Sequence, residues 1–179
     1  MESELEKKLF DKHLKIFGQK DLPMSQTCMC WGIDCGDGWY WIMDMLCGTI
    51  QSYCDNRNDG VRIRQKERNK ITRWYKFWYK VKRFFHIGKR NYLLDMGNED
   101  EWQVEATQVK EKYGGLRFYI SGADDEVYGM ISLAEHMSYH TCEYCGTTEN
   151  VKVRSDGWVR TLCDKCEEKR EEERNRSRK

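Results

Sequence analysis

Four cysteines in the C-terminal part of this 179-residue chain have the spacing of a metal site. They form two Cys-x2-Cys pairs with seventeen residues between the pairs, at Cys142, Cys145, Cys163 and Cys166. Each pair can supply two ligands to a tetrahedral zinc ion, and four thiolates complete the coordination of that ion. Because no position then remains for a reacting water molecule, the sequence predicts one structural zinc ion as the cofactor.

The residues between and after these pairs predict a compact unit around the metal. Gly146 follows the first pair, where a tight knuckle is expected, and two short apolar runs flank a turn at residues 155–157. The second pair opens a polar helix. We therefore expect a treble-clef or zinc-ribbon-like module over residues 141–179. The interval between the pairs contains no histidine, which argues against a histidine-metal nuclease built on this module.

Other cysteines and carboxylates are weaker candidates for metal binding. A second site could begin in one loop, at Cys28, Cys30 and Cys35. Their Cys-x-Cys-x4-Cys spacing is not standard for ligands, and a packed loop with small thiols is the alternative. Asp34, Asp37 and Asp44 could also form an acidic metal-binding cluster. We favour simpler roles for two of them, a helix cap for Asp37 and a solvated surface position for Asp44.

Apolar periodicity predicts an α+β fold with N-terminal helices, a central antiparallel β-hairpin and the C-terminal four-cysteine module. Helices are expected over residues 2–17, 39–54, 71–85 and 126–139. Residues 55–70 are polar and weakly patterned. We predict one α+β domain over residues 1–140, with a basic, aromatic insert at about 55–100, followed by the zinc module at 141–179.

The hairpin prediction rests on two alternating runs that meet at Gly114-Gly115. As a two-residue turn, this dipeptide places Tyr113 opposite Leu116 and directs the apolar positions of both strands to the core. The opposite, outward face then carries basic and aromatic side chains, which we take as candidates for anion binding: Lys110, Lys112, Arg117 and Tyr119.

Positive charge is concentrated in one stretch of an almost neutral chain. Residues 55–90 contain thirteen Lys or Arg and three Asp or Glu, while the whole chain has a net charge of +1. Such a block favours an anionic partner, a nucleic acid or nucleotide, with cations on phosphates and aromatic rings on bases. The predicted helix 71–85 contributes four candidate residues: Arg73, Lys76, Lys80 and Arg83. The alternative is a packed helix with solvated charges.

Three segments together resemble a known group of proteins. They are CWGIDCGDGW at Cys30–Trp39, QVKEKYGGLRFY at Gln108–Tyr119, and AEHMSYHTCEYCG at Ala134–Gly146 with its partner LCDKC at Leu162–Cys166. The set resembles small zinc-ribbon-containing proteins encoded by bacteriophages and prophages, generally without an assigned function. The resemblance covers about residues 25–54 and 103–166, so that residues 55–100 look like a variable insert.

The resemblance implies the setting in which such a protein acts and does not imply a particular reaction. We expect a non-catalytic accessory protein in the cytoplasm of an infected bacterial host, which sequesters or blocks a nucleic acid, a nucleotide or a host protein, including a defence protein. The opening MESELEKKLF has no apolar segment of the kind that signal peptides contain, in line with that expectation. No catalytic residue is carried over from the group.

Two other functions remain open from the residues. A metal-dependent nuclease or phosphodiesterase could use Asp34, Asp37 or His136 with a divalent ion. A membrane-surface protein could use the cationic, aromatic-rich segment Ile71–Phe85.

Overall fold

The computed structural model describes residues 1–84, 101–155 and 157–177, and it confirms the α+β class. Its helices are α1 (Ser3–Lys12), α2 (Tyr40–Phe84), α3 (Asp125–Ser138) and α4 (Asp164–Arg176). Its strands are β1 (Ile33–Asp34), β2 (Glu105–Lys112), β3 (Gly115–Ser121), β4 (Val151–Arg154) and β5 (Arg160–Cys163). The chain divides into two compact units, one formed by Met1–Ser52 with Gln103–Lys179 and the other by Tyr53–Trp102.

A three-stranded sheet in the order β1-β2-β3 forms the centre of the first unit. Strand β1 runs parallel to β2, and β3 runs antiparallel to it. Side chains alternate between the two faces of a strand, so Ile33, Val109 and Phe118 lie side by side on the buried face. The two-residue strand β1 falls in the stretch for which the sequence indicated only a loop.

The predicted hairpin is present, but its predicted register is wrong. Lys112 pairs with Gly115 and Lys110 with Arg117, so the turn residues are Tyr113 and Gly114. Both have positive φ, 54° and 79°, as in a type I′ turn. The partners are therefore displaced by two residues, and an even displacement leaves each side chain on its predicted face. Tyr113 alone changes its surroundings, because it lies exposed in the turn instead of in the core.

Helices cover both edges of this sheet. On one edge, the β3 amides of Leu116 and Phe118 donate to Ser138 Oγ at 2.9 Å and to a carboxylate oxygen of Glu135 at 3.1 Å, both in α3. On the other edge, the amide of Ile33 donates to Glu6 of α1 at 2.6 Å. Side-chain acceptors thus satisfy backbone donors that an open sheet edge would leave to solvent.

The four-cysteine region packs directly against the segment that precedes α2. The amide of Gly38 donates to the carbonyl of Glu143 at 2.8 Å, and the indole of Trp39 donates to the carbonyl of Thr141 at 2.9 Å. Trp39 is fully buried. The backbones approach so closely here that a β-carbon on Gly38 would overlap the carbonyl oxygen of Cys142. A residue without a side chain is required at this position for that reason.

Helix α2 continues well past the predicted end at Cys54, so the prediction of two separate helices is wrong. Residues 55–70 lack an apolar stripe, but they contain no proline and one glycine, and half of them are Arg, Lys, Glu or Gln, which have good helix propensity. Within the second unit, Asn58 exchanges two hydrogen bonds with the backbone of Trp102, each 2.9 Å long. The Trp102 ring contacts Tyr53 edge-on and lies 4.4 Å from the Arg57 guanidinium.

Two aspartates have other roles than the sequence suggested. Asp37 does not cap a helix with its side chain; it accepts the backbone amide of Glu2 at 2.7 Å. Asp44 is not a solvated surface residue, because it accepts hydrogen bonds from Lys12 at 2.7 Å and from His13 at 2.8 Å. It therefore ties the first turns of α2 to the end of α1. Among the described helices, none is long and apolar enough to cross a membrane.

We predict that Gly38→Ala destabilises the protein by about 2 kcal/mol or more, because the new methyl group must displace the backbone of the cysteine knuckle. The matched control is Gly129→Ala in α3, where a β-carbon meets nothing within 4 Å. In that variant, the free energy of unfolding should be unchanged from the wild-type value or higher by up to about 1 kcal/mol. Chemical unfolding of the two purified variants measures both values, and equal stabilities would contradict the close approach of the two backbones.

Candidate functional site

Seventeen residues separate the two cysteine pairs, and the fold brings their sulfurs together. The four Sγ atoms of Cys142, Cys145, Cys163 and Cys166 all lie within 4.8 Å of one another. The Sγ atoms of Cys145 and Cys163 are 3.7 Å apart. Four thiolates around one zinc ion, each about 2.3 Å from it, stand about 3.8 Å apart along the edges of a tetrahedron. The cluster therefore has the donors and the size to hold a metal ion.

The backbone of the first pair forms the tight turn that such a cluster needs. The amide of Gly146 donates to the carbonyl of Cys142 at 2.9 Å, and the amide of Cys142 donates to the carbonyl of Thr147 at 2.8 Å. The second pair is placed by two elements, since Cys163 ends β5 and Cys166 lies in the first turn of α4. A small apolar core of Leu162 with the partly buried Val151 packs beside the sulfurs.

The sulfurs differ in how easily they lose a proton. Burial raises the pKa of Cys142, but backbone amides of Cys145, Cys163 and Tyr144 donate to its sulfur, and the net result is a lowered pKa. Burial and the neighbouring thiols raise the pKa of Cys145 and of Cys166. One thiolate is therefore favoured by the protein itself, while the accumulation of several negative sulfurs requires a cation among them.

Within the described ranges, no other group of three or more His, Cys, Asp or Glu side chains converges in this way. Of the second cysteine set, Cys28 is exposed, Cys30 donates to the carbonyl of Thr27, and Cys35 is buried. Burial raises the pKa of Cys35 to about 12, which disfavours the thiolate that a metal requires. The side chain of His136 is hydrogen-bonded to the carbonyl of Ser132 in its own helix.

The basic residues predicted on the hairpin share its outward face. Lys110 is the register partner of Arg117, Lys112 lies one position further along the same face, and Tyr119 is exposed there. The ammonium groups of Lys110 and Lys112 lie 5.3 Å and 5.5 Å from the ring centres of Tyr119 and Tyr113. Neither lysine forms an ion pair with a residue that the structure describes.

Arg117 differs from the two lysines because its guanidinium is already engaged. It donates to the hydroxyl of Tyr139 at 2.7 Å and lies 3.6 Å from a carboxylate oxygen of Glu135. Arg73 of α2 is exposed, whereas the side chains of Lys76, Lys80 and Arg83 lie outside the part of the chain that the structure describes.

The junction between the hairpin and the cysteine module is lined by four residues that were not among the sequence-based candidates. They are Glu111, Glu143, Trp158 and Arg160. Glu143, only 2% exposed, accepts the amide of Gly36 at 3.1 Å and pairs with Arg160 at 3.3 Å. Burial raises the pKa of Glu143 against the opposing effect of Arg160. Trp158 donates its indole N–H to Glu111 at 3.0 Å and is 67% exposed. A tryptophan beside a glycine in a polar turn was the available sequence signal for this region.

No protein-family model, curated protein or solved structure matches the chain. The cysteine cluster is thus interpreted from its own geometry, and this geometry supports a bound metal ion without showing which one.

We predict that Cys163→Ser lowers the metal content of the purified protein from about one ion per chain to near zero and unfolds the region after residue 141. The matched control is Cys28→Ser, which changes an exposed cysteine outside the cluster and should retain the metal. Elemental analysis gives the metal and its stoichiometry, and limited proteolysis reports the folding of the region. Full metal content in Cys163→Ser would refute the ligand assignment, and two ions per wild-type chain would reveal a second site.

Proposed function

We propose that this chain is a non-catalytic binding protein, stabilised by one zinc ion, that holds an anionic partner of the nucleic-acid or nucleotide class. The metal module would be treble-clef-like, with a cysteine knuckle, a β-hairpin and a helix that carries the last ligand. From the resemblance to phage proteins, we further propose that it acts as an accessory factor in the cytoplasm of an infected bacterium.

The observation that carries the proposal is the completeness of the cysteine cluster. Four cysteine sulfurs lie within 4.8 Å of one another, and four thiolates fill the coordination of zinc. A zinc ion held in this way has no open position at which to activate water or to polarise a substrate. The favourable free energy of metal binding then goes into folding the module and into holding whatever surface the module supports.

The surface proposed for the anionic partner is the outward face of the hairpin. Lys110 and Lys112 form no ion pair with any described residue, so their charges are available to phosphate groups. Exposed tyrosine rings stand beside both ammonium groups, and such rings can stack on bases. Arg117, tied to Tyr139 and Glu135, would help to position this face rather than contact the partner.

The test is the binding of short single-stranded DNA and RNA oligonucleotides, measured by fluorescence anisotropy at several salt concentrations. The double variant Lys110→Ala/Lys112→Ala should weaken binding about tenfold or more and reduce the slope of log K against log salt by about one for each phosphate group that the variant no longer neutralises. The matched control is Lys165→Ala/Lys169→Ala in α4, which removes the same charge from exposed positions elsewhere. Equally weakened binding in both double variants would rule out the hairpin face as the binding surface.

A further inference from the structure

A cleft lies between the turn of the β2–β3 hairpin and the turn that joins β4 to β5. Its volume is about 490 Å³, which is within the range of small-molecule sites. The side chains with polar or aromatic groups that line it are Asp34, Lys110, Glu111, Lys112, Tyr113 and Trp158. These residues come from three separate segments of the chain, and the cleft exists only where the sheet meets the cysteine module.

Two large rings stand at this cleft with little cover. Trp158 is 67% exposed and Tyr113 is 71% exposed. The two rings have neighbours that hold them, because the Trp158 indole N–H donates to Glu111 at 3.0 Å and the Tyr113 ring centre lies 5.5 Å from the Lys112 ammonium. Held aromatic rings that keep a face open to solvent are the kind of platform on which bases stack.

Charges of both signs lie next to one another in the cleft. Lys110 and Lys112 stand on one strand without ion pairs to described residues. Both carboxylate oxygens of Glu111 already accept hydrogen bonds, one from the Gly114 amide at 2.6 Å and the other from Trp158. Asp34, the register partner of Lys110, is exposed and likewise has no ion pair in the described ranges.

These features select a particular ligand chemistry. The formal charges of the two lysines and the two carboxylates cancel, so a bare polyanion gains little net attraction. A ligand with an anionic group, an aromatic plane and hydrogen-bond donors can contact the lysines, the aromatic rings and the carboxylates of the cleft at the same time. Nucleotides combine a phosphate, a base and sugar hydroxyls or exocyclic amines in one molecule of suitable size.

We propose that this cleft binds a nucleotide, with its phosphate at Lys110 and Lys112, its base stacked on Trp158, and Asp34 accepting a hydrogen bond from the sugar or the base. The proposal rests on the proposed function and narrows it, because it replaces an extended anionic surface by a site for a single nucleotide unit.

The direct test is calorimetric titration of the full-length, zinc-loaded protein with the four ribonucleoside 5′-monophosphates. Two partial ligands accompany each titration, the corresponding nucleoside, which lacks the phosphate, and ribose 5-phosphate, which lacks the base. We expect at least one monophosphate to bind about tenfold more tightly than either of its partial ligands, because stacking and phosphate contacts both contribute.

Variants assign the binding to the cleft. Trp158→Ala should weaken the monophosphate about tenfold or more, while Trp158→Phe should restore most of the affinity because it keeps a stacking ring. The matched control is Trp31→Ala, which removes a tryptophan of similar exposure, 73%, that does not line the cleft. Equal zinc content in all three variants shows that the module remains folded.

The nucleotide site is overturned if none of the monophosphates binds, or if Trp158→Ala weakens binding no more than Trp31→Ala. In either case, oligonucleotide binding that still depends on Lys110 and Lys112 leaves the proposed function standing. If oligonucleotides also fail to bind at low salt, both proposals fall together.

Discussion

The backbone-to-backbone contact between the cysteine knuckle and the segment before α2 is the interaction on which the first unit depends. Gly38 donates to the carbonyl of Glu143, and the buried indole of Trp39 donates to the carbonyl of Thr141. The backbones approach so closely here that a β-carbon on Gly38 would overlap Cys142. The start of α2 is thereby placed by the conformation of the cysteine knuckle, so a metal ion held by the four sulfurs would stabilise the docked arrangement as well as the knuckle.

The same junction explains why the cleft lies where it does. The hydroxyl of Thr161 in β5 donates to the carbonyl of Gly114 at the hairpin turn, and Trp158 reaches Glu111 on β2. Glu143, which follows Cys142, bridges the Gly36 amide to Arg160. Strands β4 and β5 with the turn between them, here called the β4–β5 arm, therefore form one side of the cleft, and the hairpin and the segment at Asp34 form the other two. Hydrogen bonds between the sheet and the cysteine module hold these three sides together.

Features that depend on local chemistry were predictable from the sequence. The cysteine pairs were identified correctly as one cluster because two Cys-x2-Cys pairs need only a chain reversal to meet. The faces of the hairpin were also correct, since the period of two survives an even shift in register. The turn was misplaced because Gly114-Gly115 looked like a turn dipeptide, whereas Gly115 is small for another reason: a β-carbon there would overlap the ring of Tyr139.

Features that depend on tertiary contacts were not predictable. Strand β1 has two residues and forms only because β2 offers it an edge and Glu6 accepts the amide of Ile33. Helix α2 continues through a stretch without an apolar stripe. There, the helix propensity of the residues, and not a hydrophobic periodicity, favours the helical conformation. The cleft residues carry no shared motif, since Asp34, Lys112 and Trp158 meet only after the sheet and the module have docked.

A site built across such a junction has a thermodynamic consequence. Any ligand that contacts both Lys112 on the hairpin and Trp158 on the β4–β5 arm binds only the docked arrangement, and this arrangement requires the folded cysteine module. Coupling between two binding events is reciprocal, so if the cluster holds a metal ion and the proposed nucleotide binds, the nucleotide would strengthen retention of the metal by the same free energy with which the metal strengthens binding of the nucleotide. On this proposal, the cysteine cluster would contribute to the affinity of the cleft without contacting the ligand.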